Sequence, residues 1–165
     1  MLTSGYQIIK VTAMKEPKQM SVSAIQNGTV IDHVPARNLF KVIQILGLDR
    51  VENQITFGTN LESKKLGRKA IIKISGVYFE DEDINRIALV APDAKLNIIR
   101  DYEVVEKKVV VVPDNITGIA KCMNPKCITN YEHVTTKFRV VSKKNVSLKC
   151  YYCEKITNQE NMHII

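Results

Sequence analysis

The stretch GTVIDHVPARNLFKVIQIL, residues 28–46, carries the signals that decide the fold of the first half of the chain. It opens with an Asn27–Gly28 turn signal, continues as a short strand, and changes to a helical period after Pro35. Pro35 suits the first helical turn, where its missing N–H costs nothing, and Gly47 supplies a stop. The apolar residues at helical spacing are Ala36, Leu39, Phe40, Val42, Ile43 and Leu46. The stretch therefore predicts a turn, a strand and an amphipathic helix.

Further strands and a second helix are predicted around this stretch. Strand patterns occupy residues 21–25, 54–59, 69–75, 96–100 and 102–107. The segment EDEDINRIALVA, residues 80–91, predicts a helix, because acids gather where the helix dipole favours them and Pro92 follows. Residues 60–68 hold Ser63, Gly67 and three cations, and are expected to form a loop. The order strand–helix–strand–strand–helix–strand predicts a ferredoxin-like βαββαβ domain, with one antiparallel sheet and two helices on one face.

Length and composition limit the class of protein. The 165 residues fit one medium domain or two small ones, and 45% hydrophobic with 25% charged residues is ordinary for a globular protein. No apolar run approaches the ~20 residues of a membrane span. The start, MLTSGYQIIKVTAMK, has no apolar signal core or cleavage pattern. We therefore expect a cytoplasmic protein without membrane contact, with residues 1–20 as a loosely held arm.

The positive charge is concentrated at the end of the chain. The net charge is +7, and residues 118–165 hold eight Lys or Arg residues against three acids, which leaves +5 in that segment. A basic segment of this kind binds nucleic acid or docks on an acidic protein. Charge alone leaves both alternatives open.

All four cysteines lie in the same segment, at Cys122, Cys127, Cys150 and Cys153. The spacing is C-x4-C, then 22 residues, then C-x2-C. Two close pairs at hairpin ends are typical of a tetrahedral zinc site, and four thiolates leave no open position for water, so the metal would be structural. The alternatives are unligated buried thiols, redox chemistry at Cys150–Cys153, and an iron–sulfur cluster.

The Asp32–His33 pair has two interpretations. As a catalytic dyad it is disfavoured, because neighbours in a strand point to opposite faces. As a turn at the start of the helix, Asp32 would satisfy free backbone N–H groups while His33 stays solvated. Two lysines favour a third interpretation, in which the pair belongs to a nucleotide site. Lys73 lies within the apolar run Ile-Ile-Lys-Ile, at what we expect to be a sheet edge, and Lys107 lies at a strand end. A phosphate would pair with these cations, and a ribose diol would suit Asp32.

Taken together, these motifs resemble the regulatory chain of aspartate carbamoyltransferase. The matching segments are GTVIDHVPA (28–36), GRK (67–69) with IIKI (71–74), IALVAPDAKLN (87–97), YEVVEK (102–107) and LKCYYCEK (148–155). The match runs in register from about Ser21 to about Lys155. The resemblance implies a non-catalytic chain of pyrimidine biosynthesis, with an allosteric nucleotide site in a ferredoxin-like domain and a four-cysteine zinc domain that grips the catalytic chain.

The resemblance also implies a role for particular residues. Asp32 contacts the ribose, His33 and Lys107 contact the phosphates, and Lys73 reaches the base and ribose. The implied lining of the base and sugar pocket is Ala24, Ile25, Val30, Asn97, Ile99, Tyr102 and Val104. The implied contacts with the catalytic chain are Asn124, Glu154 and Lys155. The resemblance further implies one Zn²⁺ per chain and ATP, CTP and UTP as effectors. It implies a regulatory homodimer within a hetero-oligomer and no nucleic-acid partner.

The expected organisation is therefore α+β. Residues 1–20 form the arm, 21–108 the nucleotide-binding domain, 109–117 a hinge or connecting strand, and 118–165 a small all-β zinc domain. The main rival is a zinc-ribbon nucleic-acid-binding protein, in which Tyr131, Tyr151 and Tyr152 stack on bases. A nucleotide-using enzyme is disfavoured, because the sequence contains no motif for a catalytic base and nucleophile.

Overall fold

The structure is a computed structural model in which residues 24–165 are described. The expected arm, residues 1–20, and most of the expected strand 21–25 lie outside this range. Ala24 and Ile25 are described and belong to no strand. The described residues form one five-stranded sheet, one four-stranded sheet and one two-stranded sheet, and they contain two short α-helices. The predicted α+β class is confirmed.

The five-stranded sheet forms the first unit of the molecule. Its order is β2-β3-β1-β4-β5, and every neighbouring pair is antiparallel. The first four strands in this order have the ferredoxin-like arrangement, and β5 extends the sheet beside β4. The elements are β1 (Gly28–Pro35), α1 (Leu39–Ile45, after a 3₁₀ turn at Ala36–Asn38), β2 (Ile55–Ser63), β3 (Gly67–Ser75), α2 (Asp81–Ile87), β4 (Lys95–Arg100) and β5 (Glu103–Val109).

The helix predicted after Pro35 forms, but its predicted apolar stripe is only partly buried, because Phe40 is 70% exposed. Leu39 and Val42 are fully buried, and Ile45 is nearly so. Gly47 adopts φ 61°, a left-handed conformation that glycine reaches without steric cost, and the α-helix ends before it. The sequence pattern therefore placed both the helix and its stop.

The prediction of a loop at residues 60–68 is wrong. The strand β2 continues to Ser63 and β3 begins at Gly67, so only three residues form the turn. Ser63 and Gly67, which suggested the loop, end β2 and begin β3, and the three cations lie in the turn and in β3. The strand β2 is also bulged, with Asn60 at φ 58° and a register shift between Gly58 and Leu61. Beyond the bulge, Glu62 lies opposite Arg68, and such opposite charges support cross-strand pairing.

The second unit is built from six short strands. The four-stranded sheet has the order β10-β9-β8-β6, and β11 pairs with β7. The elements are β6 (Asn115–Thr117), β7 (Ala120–Lys121), β8 (Lys137–Ser142), β9 (Ser147–Cys150), β10 (Ile156–Asn158) and β11 (His163–Ile164). The segment 109–117, expected to be one connection, has two parts. Val110 and Val112 are buried, and residues 115–117 form the edge strand of this sheet.

The two units share one continuous apolar core, to which the elements of both contribute. The Gln159 side chain crosses between them, because its Nε2 donates to the Leu89 carbonyl at 2.9 Å. Within residues 24–165, no helix is long and apolar enough to cross a membrane.

Candidate functional site

One face of the five-stranded sheet is covered by the helices, and the opposite face carries most of the polar candidates. Along β3, Ala70, Ile72 and Ile74 are buried against the core, so the alternate residues point to the other side. The cross-strand register there forms a row across all five strands, through Thr56, Lys73, Val30, Asn97 and Lys107. Four of these five residues were predicted from the sequence to share one site. We call this surface the open face.

Asp32 and His33 lie at the end of this face, in a bulge of β1. The register of β1 against β3 shifts between Ile31 and Val34, and His33 adopts φ 60°. In this conformation the His33 backbone N–H donates to Asp32 Oδ1 at 2.6 Å, and His33 Nδ1 lies 3.3 Å from Asp32 Oδ2. The expectation that the two side chains point apart is wrong, because it assumed regular strand geometry.

Asp32 also binds a residue that sequence reasoning did not assign to the site. Lys69 Nζ donates to Asp32 Oδ1 at 2.8 Å and to Oδ2 at 3.1 Å. Burial raises the pKa of Asp32, but the hydrogen bonds from Lys69 and from the His33 N–H, with the charge of Lys69, leave the pKa below its usual value. Asp32 is therefore an ionised acceptor near neutral pH.

Asp32 does not cap the helix that follows. Among the described elements, neither the 3₁₀ turn at Ala36–Asn38 nor α1 has a side-chain hydrogen bond at its N-cap. The interpretation of Asp32 as a satisfier of free helix N–H groups is wrong. Its carboxylate is directed to the sheet and its bulge.

The two lysines of the row differ in environment. Lys73 lies on the interior strand β3, opposite both Thr56 and Val30, and not at the sheet edge that its apolar neighbours suggested. Burial lowers the pKa of Lys73, because the charged ammonium is less well solvated there. Lys107 is exposed and lies on the edge strand β5. The open face thus offers one partly shielded cation and one solvated cation.

The remaining candidates lie where β1 begins and β4 turns into β5. Ile99 is buried opposite Gly28, and Val104 pairs with Ile99 from β5. Tyr102 is exposed in the turn, at φ 68°, and its N–H donates to the Gln26 carbonyl at 2.9 Å. Ala24 and Ile25 lead directly into this region along the chain. The predicted residues therefore occupy one face and one end of the same sheet.

The four cysteines converge in the second unit. Their Sγ atoms all lie within 4.8 Å of one another. The Cys122–Cys153 pair is 3.6 Å apart and the Cys127–Cys150 pair 3.8 Å apart, Sγ to Sγ. A tetrahedron with metal–sulfur bonds of ~2.3 Å has edges of about 3.8 Å, so the cluster fits a metal such as zinc.

Backbone turns hold each cysteine pair. The Cys127 N–H donates to the Asn124 carbonyl at 3.0 Å, and the Glu154 N–H donates to the Cys150 carbonyl at 3.0 Å. Glu154 adopts φ 60°, which tightens the second turn. Thr129 Oγ1 donates to Cys127 Sγ at 3.2 Å, the kind of outer contact that orients a metal ligand. Burial raises the pKa of the Cys150 thiol, so a metal must displace its proton.

The residues proposed to touch a partner lie on these turns. The Asn124 backbone and side chain are both used inside the turn, since its carbonyl accepts from Asn130 Nδ2 at 2.8 Å and its Oδ1 accepts from the Lys126 N–H at 3.2 Å. Glu154 and Lys155 are exposed. Asn124 is therefore a structural residue of the metal turn, whatever else it contacts.

The fold and its two candidate sites define a two-unit α+β protein, with a polar open sheet face in one unit and a four-thiolate metal centre in the other. Residues 20–111 match the family model described as "Aspartate carbamoyltransferase regulatory chain, allosteric domain". Residues 114–163 match "Aspartate carbamoyltransferase regulatory chain, metal binding domain". The chain belongs to the family of aspartate carbamoyltransferase regulatory chains, as its motifs suggested.

Individual relatives agree with this assignment. The aspartate carbamoyltransferase regulatory chain of Bacteroides fragilis is 57% identical over 153 residues, which is 92% of this chain and 100% of the relative. That of Pyrococcus horikoshii is 53% identical over 146 residues, which is 87% of this chain and 96% of the relative. The similarity favours a regulatory, non-catalytic chain over the zinc-ribbon nucleic-acid-binding alternative.

Proposed function

We propose that the chain binds nucleoside triphosphates on the open face and transmits their effect to a catalytic chain held by the metal-binding unit. The observation that carries this proposal is the cross-strand row through Lys73, Val30, Asn97 and Lys107. The Asp32–His33 bulge begins two residues further along β1 from Val30. A triphosphate carries several negative charges and a ribose diol. The row supplies two cations, an amide and an apolar residue, and the bulge adds a carboxylate and an imidazole.

Each residue has a distinct part in the proposed site. Asp32, held ionised by Lys69 at 2.8 Å, accepts from the ribose hydroxyls. His33 and Lys107 contact the phosphates, and Lys73 reaches the base and ribose. The sheet end lined by Ile99, Tyr102 and Val104, with Ala24 and Ile25, encloses the base and sugar. ATP, CTP and UTP are the proposed effectors.

The second unit is proposed to hold one Zn²⁺ on its four cysteines and to contact the catalytic chain through Asn124, Glu154 and Lys155. The proposed nucleotide-binding domain spans 21–108 and the zinc domain 118–165, with 109–117 between them. This segment ends in β6 of the second sheet and is the proposed route by which the effect of a nucleotide reaches the second unit. Two chains form a regulatory dimer within a cytoplasmic hetero-oligomer.

Two adjacent lysines provide a matched test of the nucleotide site. Lys107 lies opposite Asn97 on the open face, whereas Lys108 Nζ bonds Asp81 at 2.8 Å on the helix side of the sheet. A charge-assisted hydrogen bond is worth roughly 1.5–3 kcal/mol, so Lys107→Ala should weaken nucleotide binding about tenfold or more. Lys108→Ala, which removes the same charge, should leave it nearly unchanged. Calorimetry with ATP, CTP and UTP measures both.

A second variant tests the ribose contact. Asp32→Ala should weaken binding of all three nucleotides without changing the zinc content. If Lys107→Ala and Asp32→Ala bind like the parent chain, the site lies elsewhere. If the parent binds no nucleotide, the effector proposal fails. Regulation further requires that the nucleotide bind two states of the assembly unequally, which assays of the reconstituted enzyme measure.

A further inference from the structure

A cleft between the two units belongs to neither of the sites described above. It has a volume of about 630 Å³ and lies between α2 of the first unit and β6 of the second. Small-molecule pockets in proteins have volumes of about 300–1,000 Å³, so the cleft is large enough for a metabolite. The lining from α2 is Glu82, Asn85 and Arg86, and the lining from β6 is Asn115, Ile116 and Thr117. We call this cavity the junction cleft.

The helix side of the junction cleft offers one cation and one carboxylate that do not pair with each other. Glu82 and Arg86 are four residues apart on α2, a spacing at which such side chains often form an ion pair. Arg86 Nη1 instead lies 3.7 Å from Asp83 Oδ1, which is too long for a hydrogen bond. Within residues 24–165, Glu82 forms no ion pair. Both charged groups are therefore available to a ligand.

The guanidinium of Arg86 also has an unmet hydrogen bond. Its Nε is buried and has no hydrogen-bond partner among the described residues, although the side chain as a whole is 40% exposed. A buried donor without an acceptor costs free energy. A ligand carboxylate that accepts from Nε and one Nη would draw the guanidinium into the cleft and satisfy this donor.

The strand side of the junction cleft is the unpaired edge of β6. The Asp114 carbonyl accepts from the Val140 N–H at 2.8 Å, and the Gly118 N–H donates to the Thr136 carbonyl at 2.9 Å. In an antiparallel pair the backbone groups of successive residues alternate in direction. Those of Asn115 and Thr117 therefore point away from β8, and β6 has no strand on that side. The edge offers N–H and C=O groups to a ligand.

The remaining lining is apolar and fixed in place. Ile116 and Ile119 are buried, and Pro113 is half-buried beside them. The connection next to the cleft is tied to α2, because the Val111 N–H donates to Asn85 Oδ1 at 3.1 Å. An apolar surface with a few convergent polar groups is the usual composition of a small-molecule site.

The other carboxylates near the junction cleft are already engaged. Asp81 Oδ1 lies 2.8 Å from Lys108 Nζ, and Asp114 Oδ1 lies 2.6 Å from Lys143 Nζ. The cleft thus retains one charge of each sign, on Glu82 and on Arg86.

We propose that the junction cleft binds an apolar L-amino acid as its zwitterion. The ligand carboxylate accepts from Arg86, and the ligand ammonium donates to Glu82 and to a backbone carbonyl of the β6 edge. The apolar side chain of the ligand packs against Pro113, Ile116 and Ile119. The site is separate from the open face, so the inference does not depend on nucleotide binding.

A zwitterion fits the cleft better than an anion or a peptide. A simple anion such as phosphate would pair with Arg86 but would be repelled by Glu82. An extended peptide that adds a strand needs a long row of backbone groups, whereas β6 has three residues and only Asn115 and Thr117 point outward. An amino acid carries both charges on adjacent groups and uses one step of this edge.

Binding in the junction cleft would stabilise the contact between the units, because the ligand touches α2 on one side and β6 on the other. A ligand that binds only the folded chain raises its Tm by mass action. We therefore expect L-leucine to raise the Tm of the parent chain and to leave that of Arg86→Gln unchanged.

The test is calorimetry of the full-length, zinc-loaded chain with L-leucine, L-valine and L-methionine, each titrated into the millimolar range. Arg86→Lys keeps the charge but lacks the planar fork of donors, and Glu82→Gln removes the partner of the ammonium. Each should weaken binding about tenfold or more, as should Arg86→Gln. Arg50→Gln and Glu52→Gln make the same kinds of change at exposed positions before β2 and should bind like the parent.

Three further probes identify the groups of the ligand that are recognised. N-acetyl-L-leucine lacks the ammonium and L-leucinamide lacks the carboxylate, so neither should bind in the same concentration range. Inorganic phosphate should not displace L-leucine.

The inference is overturned if none of the three amino acids binds the parent, or if the Arg86 and Glu82 variants bind them like the parent. Equal binding of N-acetyl-L-leucine, or displacement of L-leucine by phosphate, would show a simple anion site and would overturn it as well. Lys107→Ala should bind L-leucine like the parent, so the result is independent of the nucleotide proposal.

Discussion

The Lys69–Asp32 ion pair makes the stability of the first unit depend on pH in acid. Burial raises the pKa of Asp32, but Lys69 and the His33 N–H outweigh it, so the folded pKa lies below the ordinary 3.8. A carboxyl group with a lowered folded pKa stabilises the fold above its unfolded pKa, and this contribution is lost as pH falls through the folded value. Lys69→Met removes the cation and leaves the burial. We expect a loss of about 1–2 kcal/mol at neutral pH and acid unfolding at a higher pH.

Circular dichroism between pH 2 and 7, in a fixed concentration of urea, measures this shift. Lys64→Met, at an exposed turn position, is the control and should follow the parent curve. Coincident acid transitions for Lys69→Met and the parent would show that the pair contributes nothing to folding.

At the residue scale, the sequence predicted which side chains belong to the candidate site better than it predicted the contacts between them. Asp32, Lys73 and Lys107 were singled out as charges in need of a partner, and all three lie at one face. The Asp32–His33 contact escaped prediction because a bulge has no reliable sequence signal, and φ 60° at a histidine is uncommon. Lys69 was quoted within the GRK motif, yet its bond to Asp32 depends on tertiary pairing between β1 and β3.

At the element scale, two glycines with positive φ test how closely β1 packs against β3. Gly28 begins β1 at φ 137°, and a Cβ there would collide with the Ile74 carbonyl and the Gly76 nitrogen. Gly67 begins β3 at φ 73°, with no atom within 4 Å of such a Cβ. Gly67→Ala should cost about 1–2 kcal/mol from the backbone conformation alone. Gly28→Ala should cost about 3 kcal/mol or more, because the β1–β3 pairing must shift as well.

Thermal unfolding of both variants measures the difference. A lower Tm for Gly28→Ala than for Gly67→Ala supports the close packing of β1 on β3. Equal Tm values would mean that the backbones separate at little cost.

The metal turns are a second element whose contribution is measurable. Cys150→Ser should abolish binding of one metal ion per chain and unfold the second unit, because only three cysteine ligands remain and metal-binding free energy is folding free energy in so small a unit. The first unit, with its own sheet, should keep its far-UV signal. Metal analysis by mass spectrometry with near-UV circular dichroism provides the measurement. A folded Cys150→Ser chain would contradict a structural metal.

Thr129→Val tests the outer contact to the same centre. Its hydroxyl donates to Cys127 Sγ at 3.2 Å, and loss of such a contact typically weakens metal affinity 10–100-fold. We therefore expect faster release of zinc to a chelator, without loss of the fold. Release at the parent rate would show that the hydroxyl does not tune the site.

The elements themselves were mostly predictable, and the errors have physical causes. The helices were visible because Pro35, Gly47 and the acids before Ile84 mark their ends. The β2–β3 hairpin was predicted too short, because the polar residues near its turn are typical of loops. In the structure these residues belong to the strands, where Glu62 pairs with Arg68. The strand β6 was hidden in the connection, since three residues are too short for a periodic pattern.

At the scale of the whole molecule, the sequence predicted two units but not how they join. Composition and cysteine spacing separated the basic segment from the ferredoxin-like unit. The continuous core between them was not predictable, because Val110, Val112 and Ile164 are ordinary apolar residues whose burial depends on the packing of distant elements. The end of the chain returns to the first unit, where Gln44 Nε2 lies 3.5 Å from the Ile164 carbonyl.

The junction between the units predicts how cooperatively the molecule unfolds. Gln159 Nε2 donates to the Leu89 carbonyl at 2.9 Å, and Leu89 is fully buried. Gln159→Ala leaves that carbonyl without this donor. The loss should lower the free energy of unfolding by about 1–3 kcal/mol and weaken the contact between the two units. We expect the calorimetric transition to broaden or divide into two, with the metal content unchanged. Gln44→Ala removes a longer, 3.5 Å contact at the same junction and should have a smaller effect. A single sharp transition in Gln159→Ala, at the parent Tm, would mean that the apolar core alone couples the units.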